Sequence, residues 1–62
     1  MPIITMEGPA ILDLDKKRQL VGTVTEAAAA AYGLSTDTII IVLRENAPDN
    51  VSVGGQLIID RE

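Results

Sequence analysis

The residue best equipped for chemistry is the second one. The chain opens Met1-Pro2 and runs at once into the apolar, β-branched stretch Ile3-Ile4-Thr5-Met6. An initiator Met before a small residue such as Pro is ordinarily cleaved, which leaves Pro2 with a free secondary amine at the start of a strand. Among apolar side chains the charged form of an amine is disfavoured, and its pKa falls toward neutrality. That is where a general base working at physiological pH is most effective. The plainer reading is that Pro2 only opens a strand, where its missing N–H costs no ladder hydrogen bond.

Few other chemistries are available. The chain has no Cys and no His, so disulfide frameworks and zinc sites are excluded by inventory. No phosphate-cradling loop is present, since Gly54-Gly55 lacks the strand-to-helix setting such a loop requires, and no cofactor is expected. The net charge is −4 with acids spread along the chain, which argues against a nucleic-acid partner. The longest apolar run, Ala27 to Tyr32, is far short of the ~20 residues of a membrane span. No charged segment precedes an apolar leader, so a soluble, cytoplasmic protein is expected.

Size then demands association. The 62 residues allow a single domain, 1–62, and chains below roughly 70–80 residues usually need disulfides, metals or partners. Apolar residues make up 47% of the chain and only Tyr32 is aromatic. That is more Ile, Val, Leu and Ala than one small monomer can cover, and a homo-oligomer is expected.

The elements that position Pro2 follow from local signals. Residues Pro2 to Met6 read as a first strand, interrupted by Gly8-Pro9. Asp13 is a helix N-cap, and Leu20, Val24, Ala27, Ala28 and Ala31 recur at helical spacing between Leu14 and Tyr32. Gly33 suits the left-handed position that ends a helix. Five consecutive alanines, 27 to 31, favour helix and also permit close approach to a neighbour; Gly22, costly in a helix by roughly 1 kcal/mol, is a second candidate for a tight contact. Ile39-Ile40-Ile41-Val42-Leu43 is apolar at every position, the mark of a strand covered on both faces. One helix covers one face, so the other is expected to meet another subunit. After the loop Asn46 to Asn50, Val51-Ser52-Val53, a Gly54-Gly55 turn and Leu57-Ile58-Ile59 read as a terminal hairpin of short strands.

Taken in order, Pro2-Ile3 at the start, Val24-Thr25-Glu26-Ala27 on the helix, Glu45 after the second strand and Val51-Ser52-Val53-Gly54-Gly55 near the end resemble the 4-oxalocrotonate tautomerase family. The likeness spans the whole chain and is greatest to its short archaeal and anaerobe-type members, which share the Gly-Pro-x-x-Leu-Asp approach to the helix. It implies an α+β class: a β-α-β tautomerase-like fold with a C-terminal β-hairpin, assembled as a homohexamer, a trimer of dimers, with active sites at subunit boundaries. It also implies that Pro2 is the catalytic base of a cofactor-independent isomerase acting on a small unsaturated acid, in chemistry of the aromatic-catabolism type.

The departures from the family bear on the substrate. Members that process the dicarboxylate carry two arginines, at positions occupied here by Leu12 and Ile40, and an aromatic pocket residue at the position of Val51. Replacement cations are few. Arg44 shares a strand face with Ile40 and Val42, though about 13 Å farther along. Lys16, Lys17 and Arg18 lie in the first helical turns, either facing substrate or neutralised by Asp13 and Asp15. Arg61 reads as a solvated tail charge. The candidate site is therefore Pro2 as catalyst with Lys16, Lys17, Arg44 and Val51 as substrate-binding residues.

Three functions are compatible with these residues. The leading one is keto–enol proton transfer by Pro2 on a small enol or keto acid less charged than the family's dicarboxylate. Another is a non-catalytic binding or structural module of the same fold. A third is hydration or dehalogenation of an unsaturated acid, with protonated Pro2 polarising the substrate for attack by water.

Overall fold

A computed structural model describes residues 1–61. Strand β1 (Ile3–Gly8) leads through a loop to helix α1 (Leu14–Tyr32), then to strand β2 (Ile40–Glu45). A hairpin of two short strands, β3 (Ser52–Val53) and β4 (Gln56–Leu57), follows. The α+β class, the β-α-β arrangement and the terminal hairpin are as expected.

Local chemistry sets the helix ends. The Asp13 carboxylate accepts hydrogen bonds from the backbone N–H groups of Asp15 (2.9 Å) and Lys16 (3.3 Å), supplying two orphan donors of the first turn. At the other end Gly33 adopts φ 66°, and its N–H donates to the Ala29 carbonyl. The Leu34 N–H donates to the same carbonyl at 3.0 Å, closing the helix as a left-handed cap does. In the hairpin Gly54 and Gly55 have φ 62° and 86°, the pair of positive angles that a tight I′-type turn demands.

Strands β1 and β2 pair in parallel, in register from Ile3 with Ile40 to Gly8 with Glu45, and α1 is the crossover that a parallel pair needs. Alternation puts Ile4, Met6, Ile41 and Leu43 on the half-buried side and Ile3, Thr5, Ile40 and Val42 on the exposed one. The Ile-rich second strand is thus covered on one face only within a single chain. On the uncovered face Ile3 is 62% exposed, Ile40 37% and Val42 39%.

Several expected boundaries and phases move. Strand β1 continues past Met6 to Gly8 and β2 past Leu43 to Glu45, because the ladder carries through Gly8; the Asn46 N–H donates to the Gly8 carbonyl at 2.9 Å. Ile58–Asp60 is a short 3-10 turn rather than strand, held by Ile58 N–H to the Val51 carbonyl (2.8 Å) and Ile59 N–H to the Pro48 carbonyl (3.1 Å). On α1 the covered stripe is Leu20, Val21, Val24, Thr25, Ala28 and Ala29, while Ala27 and Ala31 face out. A run of identical alanines carries no phase of its own, so the flanking residues set it. Gly22 is exposed and a Cβ there would meet nothing within 4 Å, so it marks no tight contact within the chain.

A single copy encloses little. Ala29, at 7% exposure, is the one buried residue among those described. The Cα radius of gyration is 14.9 Å and the extents are 43 × 24 × 14 Å, whereas a compact chain of this length has a radius of about 11 Å. The accessible surface of 4837 Å² exceeds the roughly 3,900 Å² of a folded monomer of this mass. No described helix is long and apolar enough to cross a membrane.

Candidate active site

Pro2 stands at the amino end of β1, half-buried, continuing the alternation of Ile4 and Met6. Its carbonyl accepts a hydrogen bond from the Ile40 N–H at 3.1 Å, which fixes it at the Ile40 end of the sheet. Met1 ahead of it is 84% exposed. With Met1 attached the Pro2 nitrogen is an amide; its removal converts that nitrogen into the chain's terminal amine.

The other candidate residues lie at the opposite end. Register pairs Glu7 with Arg44, five residue steps from Pro2, or about 17 Å along the strand. Arg44 does share the open face with Ile40 and Val42, and its guanidinium lies 3.8 Å from the Glu7 carboxylate. Lys17 is tied to Glu45, with Nζ donating to Oε1 at 2.9 Å. Arg18 pairs with Asp15 at 2.8 Å. Asp15 therefore neutralises Arg18, while Lys17 finds its partner on β2 instead of on its own helix. Lys16 is exposed and makes no ion pair among the described residues. Leu12 is 94% exposed. One chain thus gathers neither Arg44, Lys17 nor Val51 around Pro2.

A network that sequence reasoning did not assign joins the carboxyl end of β2 to the loop before α1. Glu45 Oε2 accepts from the Ile11 N–H at 2.6 Å while Oε1 accepts from Lys17. The Ile11 N–H first, and then the Lys17 ammonium, hold the Glu45 carboxyl below the usual carboxylate range. The only sequence signal for this clamp was Glu45 itself, because its partners lie 34 and 28 residues away.

Val51 lines a pocket of ≈ 550 Å³ at the carboxyl ends of β1 and β2. Pro9, Pro48, Val51 and Ile58 supply apolar walls, and Glu7, Asn46 and Asn50 the polar groups. Asn46 Nδ2 donates to Glu7 Oε2 at 3.3 Å. Glu7, Asn46 and Asn50 were not singled out from the sequence; only the strand register and the loop's return bring them together.

The tautomerase family model, described as tautomerase enzyme, matches residues 2–61 and begins on Pro2. The chain belongs to the tautomerase family. Its fold is close to that of a crystallised 4-oxalocrotonate tautomerase homologue, at 29% identity and TM-score 0.88, covering 100% of this chain and 98% of the other. It is also similar to DmpI from Archaeoglobus fulgidus, at 41% identity and TM-score 0.84, over 95% of this chain and 100% of that one. The 4-oxalocrotonate tautomerase homologue YwhB matches at 31% identity and TM-score 0.88, over 98% and 100% of the two chains. Among curated proteins none matches significantly. Family membership supports an isomerase-type activity for this tautomerase homologue.

Proposed function

We propose that the protein is a cofactor-independent tautomerase that moves a proton on a small unsaturated enol or keto acid, using the Pro2 amine after Met1 is removed. The observation that carries this reading is a full-length family match that starts on Pro2, with that residue half-buried and pinned through its carbonyl at the strand's start. Neutral Pro2 takes a proton from the hydroxyl of an enol, or from a carbon beside a carbonyl. As a secondary ammonium it returns that proton at the conjugated carbon, so one group is base and then acid. The enolate charge that develops between the two steps needs donors or a cation nearby, and Lys16 is the cation of the first helical turn with no ion pair among the described residues.

The working unit is a homo-oligomer, a hexamer built as a trimer of dimers, in the cytoplasm. Its support is the uncovered sheet face of Ile3, Ile40 and Val42 and a radius of gyration of 14.9 Å. The separation of Pro2 from Val51 and Arg44 along the sheet supports sites completed by a second copy.

The test begins with intact mass, to establish loss of Met1. The processed protein is expected to convert phenylenolpyruvate from enol to keto form, and Pro2→Ala to abolish that conversion. Activity that persists in Pro2→Ala overturns the proposal. The apolar residues at Leu12 and Ile40, together with the pairing of Lys17 and Arg44, favour a second reading as a non-catalytic module. An ordinary Pro2 amine pKa by NMR titration, with no turnover over a panel of enol acids, decides for that module.

A further inference from the structure

The amino end of the parallel ladder bears on the Pro2 nitrogen itself. Ile40 lies opposite Ile3, and its N–H donates to the Pro2 carbonyl at 3.1 Å. At the far end the Asn46 N–H donates in the same way to the Gly8 carbonyl at 2.9 Å. Even-numbered residues of the two segments therefore turn their N–H and C=O groups toward each other, in the evenly spaced pattern of a parallel pair. One step back toward the chain start, the groups that meet are the Pro2 nitrogen and the Thr38 carbonyl. We infer that the Thr38 carbonyl accepts a hydrogen bond from the Pro2 amine once Met1 is gone, and so fixes the direction of the lone pair that takes the substrate proton. This rests on the reading of Pro2 as the base and adds Thr38 to it as a positioning residue.

The backbone around Thr38 aims that carbonyl. Ile39 is extended, with φ −86° and ψ 125°, and across an extended residue the preceding C=O and the following N–H point to the same side. The following N–H is that of Ile40, which reaches the Pro2 carbonyl, so the Thr38 carbonyl faces the first strand as well. The turn Thr36–Thr38 holds it there. The Thr38 N–H donates to the Ser35 carbonyl at 3.1 Å and the Ile39 N–H to the Thr36 carbonyl at 3.2 Å. The Thr38 hydroxyl donates to the Ser35 carbonyl at 2.7 Å. Among the described residues no turn, cap or side-chain hydrogen bond ends on the Thr38 carbonyl, which leaves its lone pairs open to the amine.

A neutral secondary amine carries two carbons, one hydrogen and one lone pair on nitrogen. Strand and ring fix the two carbons, and inversion exchanges the other two. A carbonyl facing the nitrogen selects the hydrogen, because a lone pair turned that way would meet another lone pair. The lobe pointing away from Thr38 is then the base. A proton taken from substrate becomes a second N–H in that lobe and is given back from it, while the N–H held by Thr38 stays in place. Base and acid thus act along one line, the alignment that proton transfer between bound groups requires. The held bond is charge-assisted in the ammonium form, so it opposes the fall in pKa that burial causes.

Thr38-Ile39 is the one Thr-Ile pair in the chain, so protein made with carbonyl-labelled threonine and nitrogen-labelled isoleucine reports this carbonyl alone by NMR. Met1 is removed with a methionine aminopeptidase where the host retains it, and intact mass verifies the processing. Across a pH titration the Thr38 carbonyl-carbon shift is expected to move with the same midpoint as the Pro2 ring carbons. A crystal structure of the processed protein is expected to place the Pro2 nitrogen about 2.7–3.2 Å from the Thr38 oxygen. A Thr38 signal that stays flat while Pro2 titrates overturns the inference, as does a separation beyond about 3.5 Å. Neither readout uses turnover. Enol-to-keto conversion that Pro2→Ala abolishes, beside a flat Thr38 signal, removes this inference and leaves the base; a titrating Thr38 signal without turnover does the reverse.

Discussion

Substituting Val42 by Asp asks directly whether the open sheet face is an interface. In the single chain Val42 is 39% exposed, beside Ile40 on its own strand and opposite Thr5 in the ladder. Full burial of a Val side chain is worth roughly 1.5–3 kcal/mol, so covering the remaining two-fifths contributes about 1 kcal/mol. A carboxylate in its place forfeits that contribution and adds the penalty for an ion removed from water, which is several kcal/mol without a partner. In the lone chain the same Asp stays hydrated and costs little, so the loss falls on association. A loss of about 4 kcal/mol per interface weakens it about a thousandfold, at 1.4 kcal/mol for each factor of ten. Light scattering after size exclusion over a concentration series reads the effect. Gln19→Glu, which adds the same charge at an exposed helix position, is expected to keep the wild-type mass while Val42→Asp runs as smaller species. A Val42→Asp protein of unchanged mass at every concentration would refute the assignment of this face to subunit contact.

The remaining predictions concern the clamp and the helix start. Glu45 has a depressed pKa when folded, so its stabilisation is present above the ordinary value of about 4.5 and lost as pH falls through the folded value. Wild type is therefore expected to lose thermal stability faster than Glu45→Gln as pH drops below about 4.5, and parallel pH profiles would remove the clamp from the stability argument. Asp13→Ala deletes both cap hydrogen bonds and is expected to cost about 1 kcal/mol, which lowers the melting temperature by roughly 4–8 °C in a domain of this size. An unchanged circular-dichroism melt would show that the cap contributes nothing net.

What could be read in advance was what depends on neighbours in sequence. Asp13, Gly33 and Gly54-Gly55 work through bonds or dihedral angles within a few residues, and each does in the structure what its type suggested. Pro2 could be singled out as a candidate because it follows Met1, and the structure sets it half-buried just ahead of β1. Non-local pairings were not legible. Gly8-Pro9 looks like a break, yet the ladder passes through Gly8 because the Asn46 N–H arrives from across the sheet. Ile58-Ile59 has strand composition, yet its N–H groups turn to the carbonyls of Val51 and Pro48. Lys17 has acids close by in sequence and chooses Glu45, since β2 ends above the first turn of the helix. The pocket of Glu7, Asn46 and Asn50 draws on two segments separated by the whole helix, and no local pattern announces it.

That Ala29 is the only described side chain shut away from solvent has a consequence for how this sequence is handled. If the copies assemble as proposed, shape and stoichiometry are one property, and dilution acts as a denaturant: the melting midpoint moves with the amount of protein in the tube. Substitutions on the bare side of the sheet would then silence the enzyme by scattering its copies, with every reacting atom left intact.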